Sequence, residues 1–205
     1  MLICLFAICM VCSGLLAGVY ALTKAPIDAA AKAKNEAAIL EVLPETAVTI
    51  EEERTVEYDG QVYAYNLAYD EKGEVVGCAI NVAPVGFGGP IVIKVGFNKD
   101  GIVWNTKVLS QAETPGLGAK CVEDAFSSQF KGFDPSVKEL SVKKDGGDVD
   151  AITASTITSR AYASGVALAV NVRAAIAGTP MLLDSTTGAS ATEWKAEDQK
   201  TEETK

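Results

Sequence analysis

The chain has 205 residues, 48% of them hydrophobic and 22% charged, which suits one domain of ordinary size plus a membrane anchor. Its formal charge of −9 comes from two segments: seven acids against Arg54 alone between Glu41 and Gly60, and six acids against three lysines between Asp184 and Lys205. With no basic field, nucleic-acid partners are excluded. With no histidine anywhere, the commonest general base, the commonest metal ligand and every Ser-His-Asp or Cys-His arrangement are excluded too.

Residues 1–22 (MLICLFAICMVCSGLLAGVYAL) hold no charge, and Lys24 is the first ionic residue. As a helix this run spans about 33 Å, enough for a hydrocarbon core of about 30 Å. A cleaved signal fits poorly, because no basic segment precedes the apolar run and the run exceeds the usual ~7–15 residues. No cysteine follows a lipoprotein-type box. The segment therefore reads as a retained single-pass transmembrane helix in the lipid bilayer, with Gly14 and Gly18 spaced for close helix packing. Lys24, Lys32 and Lys34 follow it, and by the positive-inside rule alone they would hold the following domain in the cytoplasm.

Residues 23–44 are rich in Ala, Lys and Glu, with Pro26 in a first-turn position and Pro44 as a stop. They read as a connecting helix. The acidic stretch 45–60 reads as a loop or an edge strand. From Gln61 the period becomes that of strands: QVYAYNLAY, EVVGCAINV, PIVIKVGF and GIVWNTKVL, separated by turn signals at 70–73, 86–89 and 99–101. Four such strands form an antiparallel meander.

After Glu113-Thr-Pro-Gly-Leu-Gly118 comes a helical pattern to about Phe130, then a short strand over 139–142, a Gly146-Gly147 loop and one long helix over 155–177. The apolar face of that helix is read as Ile157, Ala161, Val166, Ala169 and Val172. From Asp184 the chain is polar, and residues 181–205 are expected to form an acidic disordered tail. The fold class is α+β: an N-terminal transmembrane helix followed by an antiparallel sheet packed against helices, with residues 45–180 as the folded domain. Cys78 and Cys121 lie in that domain at a spacing that matches no zinc or iron–sulfur pattern. They are either a disulfide or two separate core residues.

Asp150-Ala-Ile-Thr153-Ala154-Ser155-Thr156-Ile157-Thr158-Ser159 sets six hydrogen-bonding side chains at a helix start. Free N–H groups and the helix dipole make such a place a phosphate site. The same residues also read as ordinary capping, with Thr153 or Ser155 as the cap.

This stretch resembles the flavinylation motif of the FMN-binding domain family, Asp-x-x-Ser/Thr-Gly-Ala-Thr, with Asp150, Thr153 and Thr156 on its fixed positions. Ala154 stands for the Gly and Ser155 for the Ala. The ordered motifs Gly86-Phe-Gly-Gly-Pro90, Asn98–Gly101 and Glu113–Gly118 resemble the G subunit of the Rnf ion-translocating electron-transport complex. They resemble less closely the C subunit of the sodium-pumping NADH:quinone reductase. The resemblance implies covalent FMN on Thr156 through a phosphoester, installed by a separate flavin transferase that uses FAD. It further implies flavin contacts at Asp150, Thr153, Ala154, Ser155, Thr158, Glu113, Thr114, Leu117 and Gly118. The chain would be a relay with no catalytic residues and no metal, working with the other subunits of a complex that couples ferredoxin:NAD electron transfer to Na⁺ or H⁺ translocation. The resemblance also places the domain on the extracytoplasmic side of the inner membrane, against the charge count, and the chain start is read as incomplete. A flavin reductase and a cofactor-free anchored structural protein are the rival readings.

Overall fold

A computed structural model describes residues 2–178 of the chain; the acidic tail lies outside them. The chain divides into two compact units, residues 1–37 and residue 38 onward.

The first helix, α1, runs without interruption from Leu2 to Val42, with Pro26 inside it. The sequence reads Pro26 as a helix start, because proline lacks the N–H that an interior turn uses. A single missing bond does not end the helix here, since the Ala-rich run after it favours continuation. Within the first unit the side chains of Leu15, Leu16, Val19 and Leu22 are exposed. Among the described residues α1 is the one helix long and apolar enough to cross a membrane.

The second unit is built on a six-stranded antiparallel sheet. Its strands are β1 (Thr49–Ile50), β2 (Arg54–Tyr58), β3 (Gln61–Tyr69), β4 (Val75–Val82), β5 (Val92–Asn98) and β6 (Val103–Ser110). The order is β1-β3-β4-β5-β6, and β2 shares the same edge of β3 with β1. The acidic stretch is thus an edge strand broken into two pieces. Charged side chains on an edge oppose pairing with another sheet, and Glu51, Glu52 and Glu53 fall at the break.

The turns form as their side chains dictate. Asn98 Oδ1 accepts from the backbone N–H groups of Asp100 and Ile102, both at 3.0 Å. Asp70 Oδ1 accepts from Lys72 at 2.8 Å and Glu74 at 2.9 Å. Such Asx-type bonds close a turn before any tertiary packing exists.

One sheet face carries Ile80, Ile93, Val95 and Phe97, all fully buried. They pack with the long helix α3 (Thr156–Ala177) through Tyr162, Val166, Ala169 and Val170. Tyr162 anchors this core. Its ring lies 5.2 Å from Phe126 and 4.8 Å from Phe130 between centroids, and its hydroxyl bonds the Thr106 hydroxyl at 2.9 Å. On the other face Ile39, Val42 and Leu43 pack with Ala68 and Ala79. A Cβ on Gly96 would collide with the Val42 carbonyl, so glycine is what admits the helix end this close. Beside it Lys94 is fully buried, 3.5 Å from Asn66 Oδ1, and burial lowers its pKa to about 8.

Two expectations change between the sheet and α3. The helical stretch to Phe130 consists of a 3-10 turn at Gly118–Val122, one α turn, α2 (Asp124–Ser127), and a second 3-10 turn at Ser128–Phe130. The strand over 139–142 is absent; a single parallel bridge joins Val142 to Val149. Cys78 and Cys121 are separate, free and buried. Each thiol is pushed up to about 11, chiefly by loss of water.

Candidate functional site

The N-terminus of α3 opens into a cavity of about 400 Å³ lined by Phe87, Glu113, Thr114, Leu117, Gly118 and residues 154–158. Three chain segments make it: the β4–β5 turn, the Glu113–Gly118 turn after β6, and the loop entering α3. A larger groove of about 880 Å³ lies at the other end of the sheet, beside the 70–74 and 98–100 turns. Its lining includes five acids, Glu45, Asp70, Glu71, Glu74 and Asp100, and no helix start.

Glu113 joins the three segments. It is 5% exposed; Oε1 accepts from the Gly88 N–H at 2.8 Å, and Oε2 from the Thr158 hydroxyl at 2.6 Å. A Cβ on Gly86 would meet this carboxylate, and one on Gly118 would meet both it and the Thr158 hydroxyl. Gly86 and Gly118 are therefore required by the close approach to Glu113. The turn itself is held by Leu117 N and Ala119 N donating to the Thr114 carbonyl at 3.1 and 3.2 Å.

The loop before α3 is fastened by Ser159. Its hydroxyl receives the Ile152 N–H at 2.9 Å and donates to the Ser155 carbonyl at 3.0 Å. Ala154 is left with φ 60, one of two positive values outside glycine among the described residues. This conformation costs an L-residue about 1–2 kcal/mol. Ser155 occupies the N-cap position, yet its side chain makes no capping bond, so the capping reading loses its acceptor. The first-turn N–H groups of α3 have no acceptor within the helix and open beside the cavity. Ser155 is buried, whereas Thr156 is half-buried, with its hydroxyl 3.4 Å from Lys144 Nζ.

Of the residues singled out in the sequence, Thr156, Ala154, Ser155, Thr158, Glu113, Thr114, Leu117 and Gly118 come together on this cavity. Asp150 and Thr153 do not line it. The Asp150 carboxylate pairs with Lys143 at 2.8 Å, and its backbone is tied to Gln129. Thr153 is exposed. Sequence reasoning misses Phe87, Ile157, Lys144 and Ser159. Phe87 sits 66% exposed in a glycine-rich turn, and a single exposed apolar side chain is ordinary on a surface, so nothing local sets it apart. The spacing of Ile157 assigns it to the core face, but it falls on the cavity.

Residues 86–171 match the FMN-binding domain family, the class that this sheet, long helix and hydroxyl-lined cavity define. Residues 3–42 match the RnfG N-terminal region. The chain is 35% identical over 184 residues to the G subunit of the ion-translocating oxidoreductase complex of Shewanella piezotolerans, covering 82% of this chain and 85% of that one. It is 34% identical over 176 residues to the Methanosarcina acetivorans protein of the same name, covering 83% and 91%. Among solved structures, it is similar to the C subunit of the Na⁺-translocating NADH-quinone reductase from Parabacteroides distasonis. That match has 24% identity and a TM-score of 0.44 over 65% of this chain and 78% of that one. The chain belongs to the family of G subunits of ion-translocating oxidoreductase complexes.

Proposed function

We propose that this protein is the membrane-anchored electron-transfer subunit of an Rnf-type complex, and that it carries FMN covalently on the Thr156 hydroxyl. The observation that carries the reading is the setting of Thr156. It is the first residue of an uncapped helix, at a cavity of about 400 Å³, within the range of small-molecule sites, ~300–1,000 Å³.

The donor set fits FMN. Phe87, Leu117 and Ile157 offer apolar surface to a ring system, Thr114, Ser155 and Thr158 offer hydroxyls, and the α3 amides offer donors to a phosphate. Bound FMN would supply one- and two-electron chemistry; the chain supplies position and electrostatics. Loading would proceed by attack of Thr156 Oγ on the FMN phosphorus of FAD. The new Oγ–P bond forms, the bond to the AMP oxygen breaks, AMP leaves with the electron pair, and the hydroxyl proton is released. A flavin transferase would catalyse this step. In the complex the flavin would relay electrons between ferredoxin and NAD as part of coupled Na⁺ or H⁺ translocation. We place α1 in the inner membrane and the domain on the extracytoplasmic side, where a covalent tether prevents loss of the cofactor.

Intact-mass measurement of the full chain, produced with a flavin transferase, tests the reading. Wild type and Ser155→Ala gain one FMN, and Thr156→Ala gains none. No gain in wild type, or a gain that maps to Ser155, overturns it.

A further inference from the structure

The 3-10 turn Lys143–Asp145 lies beside the start of α3, and most of its charge is already committed. Lys143 pairs with Asp150 at 2.8 Å. Asp145 accepts two bonds from Arg160, at 2.6 Å from Nη2 and 2.7 Å from Nε, and these hold its carboxyl below the usual range. One pair fastens the turn to the loop before α3 and the other to the second turn of α3. The backbone closes the same loop through Lys143 N to Val149 O at 2.8 Å and Val149 N to Ser141 O at 3.0 Å. Gly147 lies so close to Ser141 that no Cβ fits there. Lys144, between the two committed residues, has its ammonium 3.4 Å from Thr156 Oγ1.

A lone threonine hydroxyl gains little from an ammonium, since the contact is long and exposed. An anionic phosphoester on the same oxygen gains much more, because a charge-assisted bond to phosphate is shorter and stronger. We propose that Lys144 is the positioning cation for the phosphate at Thr156. This inference rests on the reading of Thr156 as the flavin acceptor. During loading Lys144 draws the FAD diphosphate to the hydroxyl and offsets the negative charge that builds on the phosphorus oxygens. After AMP has left, it holds the remaining anionic phosphodiester against the α3 amides. Arg160 and Lys143 do not take this part, because their charges are spent on fixing the turn.

The test compares loading rates of the full-length wild type, Lys144→Ala, Lys144→Arg and Lys72→Ala with a flavin transferase and FAD. Lys72 is an exposed lysine on the β3–β4 turn, away from the cavity. Lys144→Ala is expected to load about five- to tenfold more slowly at low salt, with the gap narrowing at about 0.5 M salt. Lys144→Arg restores most of the rate, and Lys72→Ala matches wild type. A second measurement uses free ligands with the untethered Thr156→Ala chain. Adding Lys144→Ala weakens FMN binding about fivefold and leaves riboflavin, which lacks the phosphate, unchanged. Equal loss for FMN and riboflavin, or a Lys144→Ala chain that loads at the wild-type rate, overturns the assignment of Lys144 alone. A wild type that never gains FMN overturns the Thr156 reading, and this inference with it.

Discussion

Replacing Glu113 with alanine probes how the cavity is held together. The carboxylate takes a backbone bond from Gly88 at 2.8 Å and a hydroxyl bond from Thr158 at 2.6 Å, and Thr158 is itself 2% exposed. A bond to a charged acceptor is worth about 1.5–3 kcal/mol when its donor is left buried without it, as the Thr158 hydroxyl would be, whereas Gly88 is exposed and its N–H would turn to water. Glu113→Ala should therefore cost about 2–4 kcal/mol, a large part of the ~5–15 kcal/mol that holds a domain folded. Thr158→Val removes one of the two bonds and should cost about 1.5–3 kcal/mol. Because the two residues share a bond, the double variant should be less destabilised than the sum of the singles by about 1 kcal/mol or more. Urea unfolding of the detergent-solubilised full chain, followed by circular dichroism, measures all four corners of the cycle. A loss below about 1 kcal/mol for Glu113→Ala, or additivity within about 0.5 kcal/mol, would refute the view of Glu113 as the strut of the site.

Three other perturbations follow from the same geometry. Ala154→Gly relieves a positive φ and should raise stability by up to about 1 kcal/mol after glycine's unfolded-state entropy is subtracted, read from the same urea midpoint. Cys78 and Cys121 are buried thiols pushed up to about 11, so both should resist iodoacetamide at pH 8 in the native chain and react in urea, as peptide mass mapping would show. Lys94 has its pKa lowered by burial from 10.5 to about 8. The unfolded chain thus binds more protons between those two values, and stability should rise as pH goes from 8 to 10.5 by on the order of 2–4 kcal/mol. Lys94→Met should lack that rise in pH-resolved urea titrations and be more stable than wild type at pH 7.

The meander is legible in the sequence because each of its strands is a short run rich in β-branched and aromatic residues, and two of its turns carry their own closing residue, Asp70 and Asn98. The long helix is legible for the same local reason. What escapes depends on contacts distant in sequence. Nothing local says that residues 49–58 break into two strands on one edge of β3, or that residues 139–142 pair through one bridge only. Ile157 keeps helical spacing with the core face, yet the cavity cuts into the first turn of α3 and takes it. Pro26 reads as a boundary because a proline's missing bond is local, whereas helix continuation draws on the residues after it. At the site, motif resemblance identifies the hydroxyl side and the glycine turns. It does not identify Lys144, whose nearness to Thr156 arises from ion pairs that fold the 143–145 turn back onto α3. It also names Asp150 without revealing that its carboxylate is engaged by Lys143.

Glu113 also bears on the order of events when the protein is made. Its two partners lie 25 and 45 residues away along the chain, so the carboxylate meets them only when the β4–β5 turn, the end of β6 and the start of α3 have all reached their places. Contacts of this separation form late, because the loops they close cost entropy first. A nascent or misfolded chain displays the same ten-residue motif without the pocket that surrounds it. The proposed attachment at Thr156 would then report on a finished domain, and the fraction of chains that carry it would be a covalent record of how many folded.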